Sequence, residues 1–402
     1  RLEDYEDVAG KTEIAHIEQM GEALEGRSVL HVNATAYGGG PAEMLARLIP
    51  LTRDTGLEAD WMVLDGSPEF FQTTKNLHNA LQGSNVDIDR RQMETYLTVN
   101  KANAATLPVG SDFVVIHDPQ PCALVDFARR DGGVWAWRCH IDLSKPYEAA
   151  WRFLSPFVEM HDALIFTLQD YVPRELQSMP VSIIPPSIDP LSDKNRALDH
   201  ATITDVLEEG GIDPERPLVT QISRYDPWKD PLGVVDVYRL VKQEIPDLQL
   251  LMAGSMASDD PEGTLYYDRT VRHAGDDPDL HLLTNLTDSE VNAFQRASDV
   301  ILQKSIREGF GLTVTEALWK ERAVVAGNTG GIPTQIIDGE TGFLVNTTEE
   351  MAKRTLWLLR HPEERAEMGR KAHEHVRRRF LITRLLRDYL SLFGDMAKRG
   401  RS

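Results

Sequence analysis

The fold class is indicated by Ser305-Ile-Arg-Glu-Gly-Phe-Gly-Leu-Thr-Val-Thr-Glu-Ala-Leu-Trp-Lys320, a stretch that follows the short apolar run 300–303. The apolar run predicts a buried strand, and the glycines on either side of Phe310 predict a loop. The apolar positions from Leu312 onward predict a helix. A strand, a loop and a helix in this order form the repeating unit of a parallel α/β sheet.

Outward from this stretch, short β-rich runs alternate with longer segments of helical periodicity. The Pro-rich segment 184–195 divides these runs into two series, and it predicts a linker because proline cannot donate to a strand ladder. The sequence therefore predicts an α/β fold with two Rossmann-like domains that face each other across a cleft. In such domains ligands bind at the carboxyl ends of the strands. The predicted strands are 28–33, 60–64, 113–117, 134–141, 163–168 and 181–184 in the first series, and 218–223, 248–253, 280–284, 300–303, 323–326 and 342–345 in the second.

Composition narrows the class of protein. The chain has 402 residues, enough for two large domains, and a net charge of −20 at pH 7. Because an acidic chain is unsuited to general nucleic-acid binding or to a basic membrane-binding face, we expect small-molecule substrates and neither nucleic acid nor membrane as partners. The 2 cysteines are too few for a disulfide framework. The first residues show no basic segment followed by an apolar one, and no apolar run approaches the roughly 20 residues of a membrane span, so we expect a cytoplasmic protein.

A glycine-rich turn follows the first predicted strand. Gly38, Gly39 and Gly40 precede Pro41 and a helical segment. Consecutive glycines let a ligand approach the backbone closely, and a helix start offers free N–H groups that suit phosphate. The alternative is a tight strand-to-helix turn with no ligand. The turn is neither a G-x-G-x-x-G nor a P-loop, because no Gly-Lys-Ser/Thr follows.

Two cations follow the first predicted strand of the second series. Arg224 and Lys229 lie in Gln221-Ile-Ser-Arg-Tyr-Asp-Pro-Trp-Lys-Asp230. Cations in a loop at the carboxyl end of a strand can neutralise a diphosphate without a metal ion. The alternative interpretation is two surface cations near a turn.

The opening stretch contains two carboxylates. Glu308 is predicted in the loop and Glu316 in the early turns of the helix. Carboxylates suit sugar or ribose hydroxyls, and the amides of Gly309, Phe310, Gly311 and Leu312 at the helix start suit phosphate oxygens. The spacing of the glutamates is a weak signal by itself, but with Gly-Phe-Gly after a strand it becomes specific.

Histidines end two predicted strands of the first series. His117 begins His-Asp-Pro-Gln-Pro, and His140 lies in Arg-Cys-His-Ile-Asp, which ends at Asp142. A single strand-end histidine is more often structural than catalytic, and two that converge from neighbouring strands reduce this difference. The sequence contains no zinc-ligand spacing and no G-x-S-x-G nucleophile elbow.

Together these motifs resemble those of the retaining glycosyltransferases of family four, which have the two-domain glycosyltransferase-B fold. Further segments are similar to the subgroup of glycosyltransferring trehalose synthases, which also contains trehalose phosphorylases. The similarity runs from about Leu2 to the terminal helix. These segments are 31–40, 74–83, 117–121, 137–144 and 185–192. The resemblance implies an acceptor-binding domain at 1–188, a nucleotide-sugar-binding domain at 189–378, and a terminal helix at 379–402 that crosses back onto the first domain.

The resemblance also implies residue roles in the second domain. Arg224 and Lys229 would hold the donor diphosphate and stabilise the leaving group. Glu316 would bind the nucleotide ribose and Glu308 the hydroxyls of the donor sugar. The loop 309–312 would contribute to donor binding. The family needs no permanently bound cofactor and no metal ion.

In the first domain, the resemblance implies that Gly39 and Gly40 let the domain close onto the donor phosphate and sugar. His117, His140 and Asp142 are the candidates for contacting donor or acceptor glucose, and the sequence does not rank the two histidines.

The expected activity is transfer of glucose from a nucleoside-diphosphate-glucose to free glucose, which gives α,α-trehalose with retention at the donor carbon. The alternatives are a trehalose phosphorylase, a retaining transferase with another acceptor such as fructose or glycerate, and a non-catalytic sensor of nucleotide sugars. The nucleobase (ADP, UDP or GDP), the physiological direction and the oligomeric state stay open, with a homodimer as one alternative.

Overall fold

The computed structural model of the chain describes residues 1–36, 40–108, 110–128, 133–254 and 261–399. The chain forms two compact units, Arg1–Ser187 with Ile382–Ser402, and Ile188–Leu381. Each unit is built around a six-stranded sheet whose strand pairs are all parallel. The predicted α/β class with two Rossmann-like domains is therefore confirmed.

In the described residues, the first unit forms six strands and seven α-helices before the chain passes to the second unit. Its strands are β1 (Ser28–Asn33), β2 (Glu58–Val63), β3 (Phe113–His117), β4 (Val134–Cys139), β5 (Ala163–Phe166) and β6 (Val181–Ile183). Its helices are α1 (Glu6–Ala9), α2 (Lys11–Glu22), α3 (Gly40–Asp54), α4 (Pro68–Leu81), α5 (Arg90–Ala104), α6 (Leu124–Phe127) and α7 (Glu148–Glu159).

The second unit repeats the alternation of strand and helix. Its strands are β7 (Leu218–Ile222), β8 (Gln249–Gly254), β9 (Leu280–Thr284), β10 (Val300–Gln303), β11 (Ala323–Gly327) and β12 (Phe343–Val345). Its helices are α8 (His200–Glu209), α9 (Pro231–Lys242), α10 (Pro261–Ala274), α11 (Asp288–Ala297), α12 (Leu312–Trp319), α13 (Ile332–Gln335), α14 (Thr348–Arg360) and α15 (Pro362–Arg379). A short 3-10 turn, Pro227–Lys229, follows β7.

The strand orders locate the point in each sheet where a ligand is expected. The first sheet has the order β2-β1-β3-β4-β5-β6, and the second has β12-β11-β10-β7-β8-β9. The chain therefore reverses direction across the sheet between β1 and β3 in the first unit, and between β7 and β10 in the second. At such a switch point, the loops that leave the carboxyl ends of two neighbouring strands separate and open a crevice.

The last helix, α16 (Ile382–Arg399), belongs to the first unit, although the chain reaches it from the second. Its apolar residues, among them Leu386 and Phe393, share a core with residues of α2, α3 and the sheet. The buried guanidinium of Arg384 donates hydrogen bonds to the carbonyls of Pro185 at 2.9 Å and Pro186 at 3.0 Å. This contact attaches the start of α16 to the end of the first chain segment of the same unit.

The remaining face of the first sheet carries the larger core. It contains both cysteines, Cys122 and Cys139, which are fully buried free thiols. β4 ends at Cys139, two residues before the predicted end at 141, because the backbone N–H of His140 donates to Asp118 Oδ1 at 2.8 Å instead of continuing the strand. Over the described ranges, no helix combines the length and the hydropathy that crossing a membrane requires.

Candidate active site

An ion pair bridges the switch point of the second unit. Lys229 ends the 3-10 turn after β7, and Glu308 lies in the loop after β10. The Lys229 ammonium donates to Glu308 Oε2, and only 13% and 10% of the two side chains are exposed. The structure thus brings together two of the predicted site residues, one from each strand at the switch point.

Neighbouring polar side chains hold Glu308 in place. Ser305 Oγ donates to Glu308 Oε2 at 3.0 Å, and Gln303 Nε2 donates to the same oxygen at 3.4 Å. Gln303 Nε2 also donates to Ser305 Oγ at 2.9 Å, and Thr313 Oγ1 donates to Gln303 Oε1 at 3.3 Å. These hydrogen bonds fix the position of the carboxylate. The sequence analysis missed Gln303 and Ser305, although a polar residue at the end of an apolar strand could have indicated Gln303.

A second polar link fixes the backbone beneath Lys229. Gln221 Nε2 donates to the Lys229 carbonyl at 2.9 Å, and the Lys304 N–H donates to Gln221 Oε1 at 2.7 Å. The Lys304 side chain forms its own ion pair with Asp230. The loops after β7 and β10 are thus joined by the Gln221 side chain and by two ion pairs.

The glycine-rich loop packs against Glu308 and leads into α12. Gly311 has a φ of +86° and is the N-cap of α12, and a Cβ there would lie 3.2 Å from Glu308 Cγ. No side chain among the described residues caps α12, so the first N–H groups from Leu312 are available to an anion. The Gly309 carbonyl accepts from Gly331 N at 3.0 Å, and the buried Phe310 ring lies 5.8 Å from that of Phe380. Phe310 thus anchors the loop through its side chain.

Arg224 contacts a different carboxylate from the one that holds Lys229. Its side chain is 67% exposed, and its guanidinium lies 3.1 Å from Asp226 Oδ2. Asp226 Oδ1 accepts from the Lys229 backbone N–H at 3.0 Å. Asp226 therefore orders the loop that carries both cations, while the Arg224 guanidinium extends into solvent.

Glu316 lies deeper, among lysines that the sequence analysis missed. Its side chain is 5% exposed, and Lys194 Nζ lies 3.9 Å from Glu316 Oε1. Lys320 Nζ donates to Asn195 Oδ1 at 2.9 Å and to Gln295 Oε1 at 2.8 Å. Burial lowers the pKa of Lys320 to about 7, and the negative charge of Glu316 opposes this shift. The sequence could have indicated Lys320 as a neighbour of Glu316, because it follows Glu316 by one helical turn.

Three histidines form a chain at the switch point of the first unit. His31 Nδ1 lies 2.9 Å from His117 Nε2, and His117 Nδ1 lies 3.0 Å from His140 Nε2. His31 and His117 are fully buried on β1 and β3, and His140 directly after β4 is partly exposed. Burial lowers the pKa of His31 to about 3 and those of His117 and His140 well below the usual range. His31 was missed, although a histidine inside an apolar strand was the signal.

A buried arginine and an aspartate with a positive φ lie next to this histidine chain. Arg138 on β4 is fully buried, and Asp118 has a φ of +65°. Burial raises the pKa of Asp118 to about 7, against the opposing effects of its hydrogen bond from His140 and of the positive charge of Arg138. The Asp118 carbonyl accepts from Trp137 Nε1 at 2.9 Å. These contacts fix the backbone that leads into His140.

The other predicted residues of the first unit are placed separately. Gly40 is the first residue of α3, and Gly39 lies outside the described residues. Asp142 Oδ1 accepts from the Ser144 N–H at 2.8 Å, which is a local turn contact. The structure therefore joins His117 and His140, but it gives Asp142 a role in its own loop.

The described parts of the chain contain no cluster of three or more histidine, cysteine, aspartate or glutamate residues that could hold a metal ion. The three histidines do not converge on a point, because both ring nitrogens of His117 are used by its two neighbours.

Comparisons with known proteins agree with this architecture. A family model described as "Trehalose synthase, N-terminal domain" matches residues 31–173, and one described as "Glycosyl transferases group 1" matches 203–375. A sucrose-phosphate synthase structure from Thermosynechococcus elongatus superposes with a TM-score of 0.73 at 16% identity, over 93% of this chain and 100% of that chain. The likeness shows the fold, which is the glycosyltransferase-B type.

Sequence relatives are more specific. A trehalose phosphorylase of Pleurotus pulmonarius is 28% identical over 395 residues, which cover 85% of this chain and 54% of the relative. A trehalose synthase of Pyrococcus horikoshii is 50% identical over 401 residues, which cover 98% of this chain and 96% of the relative. The chain therefore belongs to the trehalose synthase family of the group 1 glycosyltransferases.

Proposed function

We propose that the protein is a retaining glucosyltransferase that moves glucose from a nucleoside-diphosphate-glucose to free glucose and so forms α,α-trehalose. The observation that carries the proposal is the Lys229–Glu308 pair at the switch point of the second unit, beside the start of α12. A cation, a carboxylate and free helix-start amides match a diphosphate joined to a sugar. The name of the 50% identical relative supports trehalose as the product.

Donor binding exchanges the partners of the ion pair. A diphosphate next to Lys229 competes with Glu308 for the ammonium group, because both are anions. Glu308, still held by Ser305, can then accept hydrogen bonds from sugar hydroxyls. Arg224 is exposed and can turn toward the phosphates in exchange for its contact with the buried Asp226. Negative charge grows on the leaving diphosphate in the transition state, so the cations stabilise that state more than the ground state.

Retention follows a front-face path in this proposal. The oxygen of the leaving diphosphate accepts the proton of the incoming hydroxyl, while the glycosidic bond of the donor breaks and the new one forms on the same face. The two glutamates do not form a glycosidase pair. Glu308 is held by Lys229 and Ser305, and Glu316 lies inside α12 beside Lys194. Both are therefore assigned to binding.

A trehalose phosphorylase is the second candidate, because one relative bears that name. Phosphorolysis uses inorganic phosphate and needs no ribose-binding carboxylate. A ribose-binding carboxylate would have no role in phosphorolysis, so the position of Glu316 in α12 favours the nucleotide donor.

The test is direct. The purified protein is incubated with glucose and ADP-, UDP- or GDP-glucose in phosphate-free buffer, and any disaccharide is identified by NMR. We expect α,α-trehalose with at least one of the donors. If trehalose forms only from glucose 1-phosphate and glucose, with release of phosphate, the protein is a trehalose phosphorylase and not a transferase. Replacing glucose by fructose or glycerate tests the acceptor in the same assay.

A further inference from the structure

The histidine chain fixes more than the position of His140. A neutral imidazole carries one N–H donor and one acceptor nitrogen. With His117 bonded at both nitrogens, its proton can lie on one side only, so the tautomers of His31, His117 and His140 are set together. Two arrangements are possible: every ring is protonated on Nδ1, or every ring is protonated on Nε2.

The inner end of the chain distinguishes these arrangements. His31 Nε2 is fully buried and has no hydrogen-bond partner in the described part of the protein. Its ring lies among aromatic side chains, with centroids 5.6 Å from Tyr389 and 6.4 Å from Phe393. Protonation on Nε2 would bury an N–H donor without an acceptor, and such orphaned donors are rarer in proteins than unsatisfied acceptors. Protonation on Nδ1 leaves only a ring lone pair against the aromatic side chains.

We infer that His31 and His117 are positioning residues that hold His140 in the tautomer with its proton on Nδ1. His140 then presents a hydrogen-bond donor at the partly exposed end of the chain, directly after β4. All three rings stay neutral under ordinary conditions, because burial holds their pKa values below the usual range. His140 therefore donates a hydrogen bond to a sugar oxygen and does not act as a base. That the acceptor is a sugar oxygen rests on the proposed function.

The first experiment reads the tautomers in the free protein. Two-bond ¹H–¹⁵N correlation spectra of protein labelled with ¹⁵N-histidine distinguish a protonated ring nitrogen from an unprotonated one, and a His140→Asn variant identifies the signals of that ring. We expect His31, His117 and His140 to carry their protons on Nδ1. A proton on His140 Nε2, with His31 Nε2–H directed at an aromatic ring, overturns the inference. Because no sugar is present, the result does not depend on whether the protein transfers glucose.

The second experiment tests the coupling between the ends of the chain. His31→Phe fills the same apolar space but removes the donor to His117, whereas His31→Gln keeps an N–H in reach. For variants that keep cooperative thermal unfolding, we expect His31→Phe to give a mixed His140 tautomer and about a tenfold loss in kcat/KM, the effect of one lost hydrogen bond. His31→Gln should restore both. A His140 ring in His31→Phe that keeps the wild-type tautomer would show that His31 has no positioning role.

Discussion

The two units place different chemistry at the same point of their sheets. At the switch point of the second unit, Lys229 and Glu308 form an ion pair across the loops after β7 and β10. At that of the first, His31 and His117 form a neutral hydrogen bond between β1 and β3. In both units, a polar contact thus connects the strands between which the chain order reverses. The two contacts lie at the same position because both sheets have a parallel topology with a switch point. They differ in charge because they have different chemical roles.

The difference in charge agrees with the proposed division of binding. A diphosphate is bound best by cations that water screens only weakly. The second unit supplies cations in the loops at its strand ends. A sugar hydroxyl needs donors and acceptors that do not attract phosphate or water strongly, and neutral histidines provide these. The comparison predicts that replacing either member of the Lys229–Glu308 pair reduces catalysis most, and that changes at the neutral site have smaller effects.

The largest effect is expected for Lys229→Ala. Loss of one group that stabilises the charge of the transition state costs on the order of 10²–10³ in kcat. The matched control is Lys304→Ala, which removes an equally buried lysine from the neighbouring ion pair with Asp230. Steady-state kinetics should show a much smaller fall in kcat for the control. A raised KM with an unchanged kcat for Lys229→Ala would show that this cation only docks the donor.

Glu308→Gln tests the other half of the charged pair. Because the carboxylate is assigned to sugar hydroxyls next to the reacting carbon, kcat should fall by roughly 10²-fold. Calorimetric titration with a nucleoside diphosphate that lacks the sugar should give nearly normal binding. If that binding disappears in Glu308→Gln but is retained in Glu316→Gln, the two glutamates have exchanged roles.

Asp118→Asn probes the surroundings of the neutral site. Burial raises the pKa of Asp118 from 3.8 to about 7, so between these values the folded protein holds a proton that the unfolded chain releases. Its contribution to the free energy of unfolding is complete below about pH 4 and is lost as the pH rises to 7. Asparagine tolerates the φ of +65° and keeps the acceptor for the His140 N–H. Between pH 5 and pH 8, the free energy of unfolding measured with denaturant should therefore fall by about 2 kcal/mol less in the variant than in the wild type. Equal pH dependence of the two proteins would show that Asp118 is ionised when buried.

The smallest effect is expected for Glu316→Gln. Its proposed partner, the ribose, does not react, so the interaction contributes equally to the ground state and the transition state. We expect KM for the nucleotide sugar to rise about tenfold and kcat to change little. Glu340→Gln, an exposed glutamate of the same unit, is the control. A large fall in kcat for Glu316→Gln would contradict its assignment to a remote part of the donor.

Much of the fold was predictable because its strands are apolar runs bounded by loop residues. The bounds of β1, β3, β9 and β10 agree with the predicted ranges. The largest differences lie at strand ends: β2 begins at Glu58, two residues before the predicted start, and β4 stops at Cys139 because Asp118 accepts the next N–H. β5 stops at Phe166, since a short 3-10 turn begins soon after at Gln169. Such endings depend on residues distant in sequence, which local patterns do not contain.

The candidate site was predictable in its residue types but not in its contacts. Lys229 and Glu308 were each visible in a loop after a strand, but their pairing requires β7 and β10 to be neighbours, which sheet order alone decides. His31 was missed because its neighbours in sequence are apolar, while its partner His117 comes from another strand. The roles of these residues in binding stay predictions.

Because of the two cysteines, thiol modification can report the opening of the first unit. Cys122 and Cys139 are the 2 cysteines of the sequence, and both are buried in the first unit. Burial raises the pKa of both thiols well above the usual range, and the thiolate is the reactive form. A maleimide should therefore modify the chain only when the first unit opens, so the rate of alkylation follows that opening while unfolding of the second unit goes unseen. A thiol introduced on the surface of either unit can carry a fluorophore without removing the native cysteines.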